Sequence, residues 1–348
     1  MNQYSCISRP RAQIVSVERA ARSQVLKGTS STRPQKSHVG QSSHRFTNLK
    51  HPKSLDAAMS FDKEAKMESS LDEQGSLTIG IVGFGNFGQF LARRFVEAGH
   101  SVIATSRGDY VDDARKMGAK FFPDIDDFCE QHPDVVVLST SILSLDSIIR
   151  RLPVQRLKRS TLFVDVLSVK VFPKNLLLEV LPDEVDILCT HPMFGPDSGK
   201  GSWEGLNFMY DPVRIGGSKE RRDRMDTFIN FFRLEGCRMV EMTCEEHDRA
   251  AASTQFITHS VGRTLGAMNL KRTEIDTKGY ESLMSLVENT TNDSFELYYG
   301  LFLYNPNATE ELERLEQAFD KVKRRLFQQL HEKLRENLHI NVTEEDHK

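Results

Sequence analysis

His191 has the residue type and setting that best suit proton transfer. It stands in Thr190-His191-Pro192-Met193-Phe194-Gly195-Pro196, where prolines and a glycine stiffen the chain just after the apolar run Val185–Cys189. An imidazole near its ordinary pKa takes or shares a proton at neutral pH. Polar residues close other apolar runs in the same way. Ser139, Thr140 and Ser141 follow Val135–Leu138, and Ser168 follows Thr161–Val166. A further stretch, Thr78–Gly88, sets Gly83, Gly85 and Gly88 at the spacing G-x-G-x-x-G, with Asn86 and Phe87 between the last two. At that spacing the first glycine permits a tight turn, the second lets backbone approach a pyrophosphate, and the third lets helix pack on strand.

These residues need a parallel sheet to bring them together. Ile79, Ile81 and Val82 read as a buried strand, Phe90–Val96 as the amphipathic helix after it, and Ser101–Thr105 as a second strand. Runs at 135–139, 161–166 and 185–189 supply three more strands, whose carboxyl ends share one crevice. Ligands bind at that edge of such sheets. At the end of the second strand the chain reads Thr105-Ser106-Arg107-Gly108-Asp109. An acid is usual there for a ribose 2′-hydroxyl; a hydroxyl and a guanidinium suit a 2′-phosphate. NADP is therefore expected over NAD, with Gly83, Gly85, Asn86, Phe87, Gly88, Ser106, Arg107, Ser139 and Thr140 as the cofactor-binding residues. Asp109 is the counterweight, within reach of the ribose. Residues 205–216 read as a strand pair turning at Asp211-Pro212. Lys219–Leu234 reads as a helix covering one face of the sheet, and Cys237–Met242 as an edge strand.

Beyond residue 243 the pattern turns helical. Thr243 and Glu246 have capping-box spacing. His247, Gln255 and His259 are spaced to share one helix face, as core network or pocket lining. Glu288 and Asp293 follow in a second helical region. Ala308–Leu338 carries Leu312, Leu315, Phe319, Val322, Leu326 and Leu330 along one stripe, which suggests an intertwined homodimer. The expected organisation is a leader and linker at 1–70, a dinucleotide-binding domain of Rossmann type (α/β) at 71–242, an all-α dimerisation and substrate domain at 243–338, and a disordered tail at 339–348.

Composition narrows the partners. A formal net charge of −3 gives no general case for nucleic acid, and no apolar stretch has membrane-span length. Cys6, Cys129, Cys189, Cys237 and Cys244 show no metal-ligand spacing, so they read as reduced thiols and no metal is expected. Up to residue 60 the chain is rich in serine, arginine and lysine, with Glu18 and Asp56 its only acids. That is the composition of an organelle transit peptide.

Taken together, GFGNFG, TSRGDY, DVLSVK, THPMFGP, EHDRAAASTQFITH, TKGYESL and ENTTNDSFELYYGLF resemble the arogenate/prephenate dehydrogenase family of tyrosine biosynthesis, nearest its plant arogenate dehydrogenases. The resemblance covers about residues 77 to 335. It implies NADP-linked oxidative decarboxylation of L-arogenate to L-tyrosine, a plastid stroma location and a homodimer. By the same resemblance His191 accepts the proton of the ring C4 hydroxyl, Ser168 steadies that hydroxyl, and Gln255 and His259 lie in the substrate-binding helix. Glu288 stands where prephenate-type members carry an arginine. A lost cation there, with Asp293 nearby, favours a substrate bearing an ammonium; which acid meets it stays open. The alternatives are a prephenate dehydrogenase, a β-hydroxyacid dehydrogenase relying on Lys278, and an NADP-binding sensor without chemistry.

Overall fold

β-branched apolar runs bounded by glycine and polar residues build the strands, and amphipathic stretches between them build crossover helices. The structure, a computed structural model, describes residues 75–345, with side chains described up to 338. The expected leader lies outside these residues. In chain order come β1 (Thr78–Val82), α1 (Asn86–Glu97), β2 (Ser101–Thr105), α2 (Val111–Lys116), β3 (Lys120–Phe121), α3 (Ile125–Cys129) and β4 (Val135–Leu138). They are followed by α4 (Leu145–Ile149), β5 (Leu162–Asp165), α5 (Val171–Val180), β6 (Asp186–Pro192), β7 (Asn207–Arg214), α6 (Lys219–Leu234) and β8 (Arg238–Glu241).

These eight strands form one sheet in the order β3-β2-β1-β4-β5-β6-β7-β8. All neighbours run parallel except β6 and β7. The strand order reverses between β1 and β4, which opens a crevice at their carboxyl ends. Both faces are covered, so β1, β4 and β5 are apolar on both sides. On one face Phe228, Phe231 and Phe232 of α6 pack with Phe95 and Trp203. The other face packs Phe128, Phe163, Leu177 and Phe256.

Two expectations change here. Residues 207–214 form one strand, not a pair turning at Asp211-Pro212. Pro212 is tolerated because β8 pairs only with Asn207–Tyr210, so its missing N–H costs no bond on that side. A bulge between Ile187 and Leu188 absorbs the irregularity on the other. The same pairing extends β6 through Pro192, so His191 lies within a strand, opposite Met209, and not in a loop after it.

After β8 every element is helical: α7 (Cys244–Ala251), a π-helical turn (Ala252–Phe256), α8 (Ile257–Ala267), α9 (Lys278–Asn292), α10 (Phe295–Leu303) and α11 (Ala308–Glu345). Thr243 and Glu246 form the complete capping box of α7. Helix α11 continues through 339–345, which were expected to be disordered, because nothing in Ile340–Glu345 breaks a helix. Phe319, Val322, Leu326 and Leu330 along it are 51–68% exposed.

Candidate active site

The glycine loop turns from β1 into α1 with Gly83 at φ +98°. A Cβ on Gly83 would lie 2.3 Å from the Ser139 carbonyl oxygen, and one on Gly88 would lie 2.2 Å from the Gly83 carbonyl oxygen. Only glycine allows β1, the β4 end and α1 to approach this closely. A Cβ on Gly85 would enter open space, and the α1 amide groups begin one residue later. Open backbone at a helix N-terminus fits a pyrophosphate. Beside it the Ser139 hydroxyl is buried without a partner, and Thr140 follows half-buried. Asn86 is exposed and Phe87 half-buried at the start of α1. At the β2 end Thr105 is buried, Ser106 half-buried and Arg107 exposed, while Asp109 accepts from the Val111 amide at 3.1 Å. The acid is thus engaged in starting α2, and the guanidinium stands out beside the crevice. These residues fit a phosphorylated dinucleotide.

His191 is 4% exposed, and its Nδ1 lies 2.8 Å from His247 Nε2. His247 Nδ1 lies 2.9 Å from Asp248 Oδ1. The carboxylate is anchored in turn. Its Oδ1 accepts from the Lys170 amide at 2.8 Å and its Oδ2 from the Val171 amide at 2.9 Å, at the N-terminus of α5. The Asp248 carbonyl accepts from Asn305 at 2.8 Å. This chain sets the tautomers from one end. An ionised carboxylate only accepts, so His247 holds its proton on Nδ1 and offers Nε2 as acceptor. His191 then donates from Nδ1, and its Nε2 is left as the basic nitrogen. Burial first, then His247 and Lys170, hold its pKa well below the ordinary 6.5, so the imidazole is neutral at neutral pH.

Ser168 follows β5 two residues before Lys170 and is half-buried. Lys170 is fully buried; its Nζ donates to Asp165 and to the Thr190 carbonyl, beside His191. Burial raises the Asp165 pKa and the Lys170 charge opposes that. Breaking such a pair costs about 3–5 kcal/mol, so it locks the β5 and β6 ends together.

The remaining predicted residues sit further along the helices. The expectation that His247, Gln255 and His259 share one face assumed an unbroken α-helix. The structure instead places a π-helical turn, Ala252–Phe256, between His247 and His259. His247 goes to His191, whereas Gln255 Oε1 and His259 Nδ1 are buried without partners. His259 Nε2 lies 3.8 Å from Asp293 Oδ2. Burial lowers the His259 pKa; Asp293 opposes this and Arg263 adds to it. Glu288 is not brought to this group: it is exposed and pairs with Arg272 at 3.0 Å. Lys278 is 98% exposed, which leaves it unsuited to buried catalysis.

Sequence reasoning assigned no role to Asp248 or Lys170, and none beyond a shared face to His247. The available signal was the adjacent His-Asp pair inside a capping-box helix. Among the described residues no group of three or more His, Cys, Asp or Glu is arranged to hold a metal.

Two family descriptions match parts of the chain: "NADP oxidoreductase coenzyme F420-dependent" over residues 78–168, and "TYRAAT1-like, C-terminal domain" over 264–338. Arogenate dehydrogenase 2, chloroplastic, of Arabidopsis thaliana is 56% identical over 82% of this chain and 80% of its own. Arogenate dehydrogenase 1, chloroplastic, of the same plant is 57% identical over 80% of this chain, and the match spans only 44% of that longer protein. The fold is similar to that of Aquifex aeolicus prephenate dehydrogenase solved with hydroxyphenyl propionate and NAD+: TM-score 0.58, 19% identity, 78% of this chain and 98% of that one. It is also similar to that of Synechocystis arogenate dehydrogenase, with TM-score 0.53, 17% identity, 75% of this chain and 97% of that one. Identity above one half, across four fifths of both chains in the first case, shows that this chain belongs to the arogenate dehydrogenase family.

Proposed function

We propose that the chain catalyses L-arogenate + NADP⁺ → L-tyrosine + NADPH + CO₂, with His191 as proton acceptor. The observation that carries this is the buried chain Asp248–His247–His191, which fixes a neutral imidazole at the carboxyl edge of a dinucleotide-binding sheet. The nicotinamide, when bound, takes hydride from ring C4. His191 Nε2 takes the proton of the C4 hydroxyl as that carbon is oxidised, and His247 shares the resulting charge. Ser168 donates to the same oxygen. The product of that step is a vinylogous β-keto acid. Loss of its ring carboxylate as CO₂ returns an electron pair to the oxygen, which recovers the proton from His191 as a phenol. Aromatisation makes the sequence effectively irreversible. Gln255, His259 and Asp293 bind the far end of the substrate, and Asp293, rather than the outward Glu288, meets its ammonium.

The exposed apolar stripe of α11 supports a homodimer, since half-exposed phenylalanine and leucine at helical spacing gain from a sister surface. The basic, serine-rich start of the chain and the relatives named chloroplastic support a plastid location, in the stroma. The test is absorbance at 340 nm with arogenate or prephenate against NADP⁺ or NAD⁺. The fastest rise is expected for arogenate with NADP⁺. No rise with any pair leaves a cofactor-binding protein without this chemistry, and a faster rise with prephenate reassigns the substrate.

A further inference from the structure

Among the described residues seven buried side-chain polar atoms have no hydrogen-bond partner, and three of them lie on one helical stripe: Gln255 Oε1, His259 Nδ1 and Arg263 Nε. The spacing is four residues at each step, so the three side chains follow one another along the helix. A buried donor or acceptor without a partner is costly to keep, and three in a row are retained where a bound molecule supplies the partners. Arg263 is held in place. Its Nη2 donates to the carbonyls of Asp293 at 2.6 Å and Ser294 at 3.1 Å. Its guanidinium lies 5.2 Å from the Tyr298 ring centre and 5.8 Å from that of Phe295. A fixed cation is therefore tied to the backbone of the same residue whose carboxylate stands 3.8 Å from His259. Arg272 cannot take this part, because it is exposed and paired with Glu288.

A cation and an acid on one small patch match the two charges carried by the α-carbon of an amino acid. We propose that Arg263 binds the α-carboxylate of the substrate side chain while Asp293 takes the ammonium beside it. This rests on the arogenate reading above and adds a residue to it. The two groups then do different work. A side-chain carboxylate is common to arogenate and prephenate, so Arg263 sets affinity for both. Only arogenate has the ammonium, so Asp293 sets the choice between them.

The test is calorimetric binding to the NADP⁺-loaded full chain of three ligands: L-tyrosine, tyramine without the carboxylate, and 3-(4-hydroxyphenyl)propionate without the ammonium. Wild type is expected to bind tyrosine more tightly than tyramine. Arg263→Gln is expected to weaken tyrosine and hydroxyphenylpropionate by about 10–100-fold and to leave tyramine unchanged. It should raise KM for arogenate and prephenate together, with their ratio preserved and kcat within a few fold. Arg263→Lys should recover part of the affinity, and an unchanged NADP⁺ affinity and melting temperature show that the fold is intact. Equal weakening of all three ligands, or a shift in the substrate ratio like that of an Asp293 variant, overturns the assignment by making Arg263 a support for Asp293. Undiminished tyrosine binding by Arg263→Gln overturns it too. If wild type binds NADP⁺ but none of the three ligands, the arogenate reading falls and the assignment with it.

Discussion

The hydrogen-bonded chain that ends at His191 and the helical stripe beyond the π turn differ in how their polar groups are satisfied. At the sheet edge, His191, His247, Asp248 and Lys170 are all buried and joined to one another or to backbone by hydrogen bonds. Along the helices beyond the π turn, Gln255, His259 and Arg263 each keep a buried polar atom without a partner. The Asp248–His247–His191 chain is joined from end to end by this chain's own residues. The recognition end is left open, and α11 leaves an apolar face open as well. Chemistry needs a base fixed in one tautomer, which costs no reorganisation when charge develops. Recognition needs donors and acceptors that the ligand alone satisfies.

Breaking the sheet-edge chain is expected to have the largest effects. His191→Asn removes the base and should lower kcat by roughly 10²–10⁴ while NADP⁺ still binds. A kcat near wild type would make His191 structural. Asp248→Asn is next, with a kcat loss of about 10–10². The two carboxylate oxygens face backbone N–H groups and the His247 Nδ1, so an amide NH₂ meets a donor in either orientation. When it displaces the His247 proton to Nε2, the order of donors reverses and His191 presents N–H where it needs a lone pair. The pH profile checks the same chain. The His191 pKa lies well below 6.5, so the base stays unprotonated as pH falls through 6.5, and its acidic limb in kcat/KM begins lower. A limb centred at or above 6.5 would assign the titration to another group.

How far these features could be read from sequence follows the same division. The sheet half was legible because it obeys local rules: glycines where backbone crowds backbone, and apolar runs buried on both faces. Strand ends were less so. Whether β6 stops before His191 depends on β7 pairing with it, His191 opposite Met209, and that partner lies 18 residues further along the chain. The partners of His191 were hidden for a related reason. Asp248 acts through amides 77 and 78 residues away, and no local spacing records that. In the helical half the 3.6-residue period identified the helices but not the π turn at Ala252–Phe256, since one shifted hydrogen-bond step leaves no mark on apolar spacing. Glu288 and Asp293, five residues apart, could not be ranked by pattern; the ion pair from Glu288 to Arg272 separates them.

The open helical end is sharpened by Asp293→Asn. Removing the negative charge beside His259 should cost arogenate more than prephenate, since only the former carries an ammonium. The ratio of their kcat/KM values is expected to shift by about tenfold, the scale of one charge-assisted hydrogen bond at a partly exposed site. The Asp293 side chain is 47% exposed, so solvent screening keeps the effect below that of the buried chain. An unchanged ratio would remove Asp293 from substrate choice.

The smallest expected effect tests an exposed part of the sheet edge, at the end of β2. Arg107 is exposed, and among the expected cofactor residues it is the one that carries a charge. Arg107→Ala should raise KM for NADP⁺ a few fold, with little change for NAD⁺, because only the former carries a 2′-phosphate. Higher salt should narrow the gap between wild type and variant, since exposed charges are screened within about 8 Å at physiological ionic strength. Equal changes for both cofactors would mean that Arg107 does not meet the phosphate. Asp109 holds the Val111 amide at 3.1 Å through Oδ1 and keeps Oδ2 for a ribose hydroxyl, so it is a rise in KM confined to NADP⁺ that singles out the guanidinium.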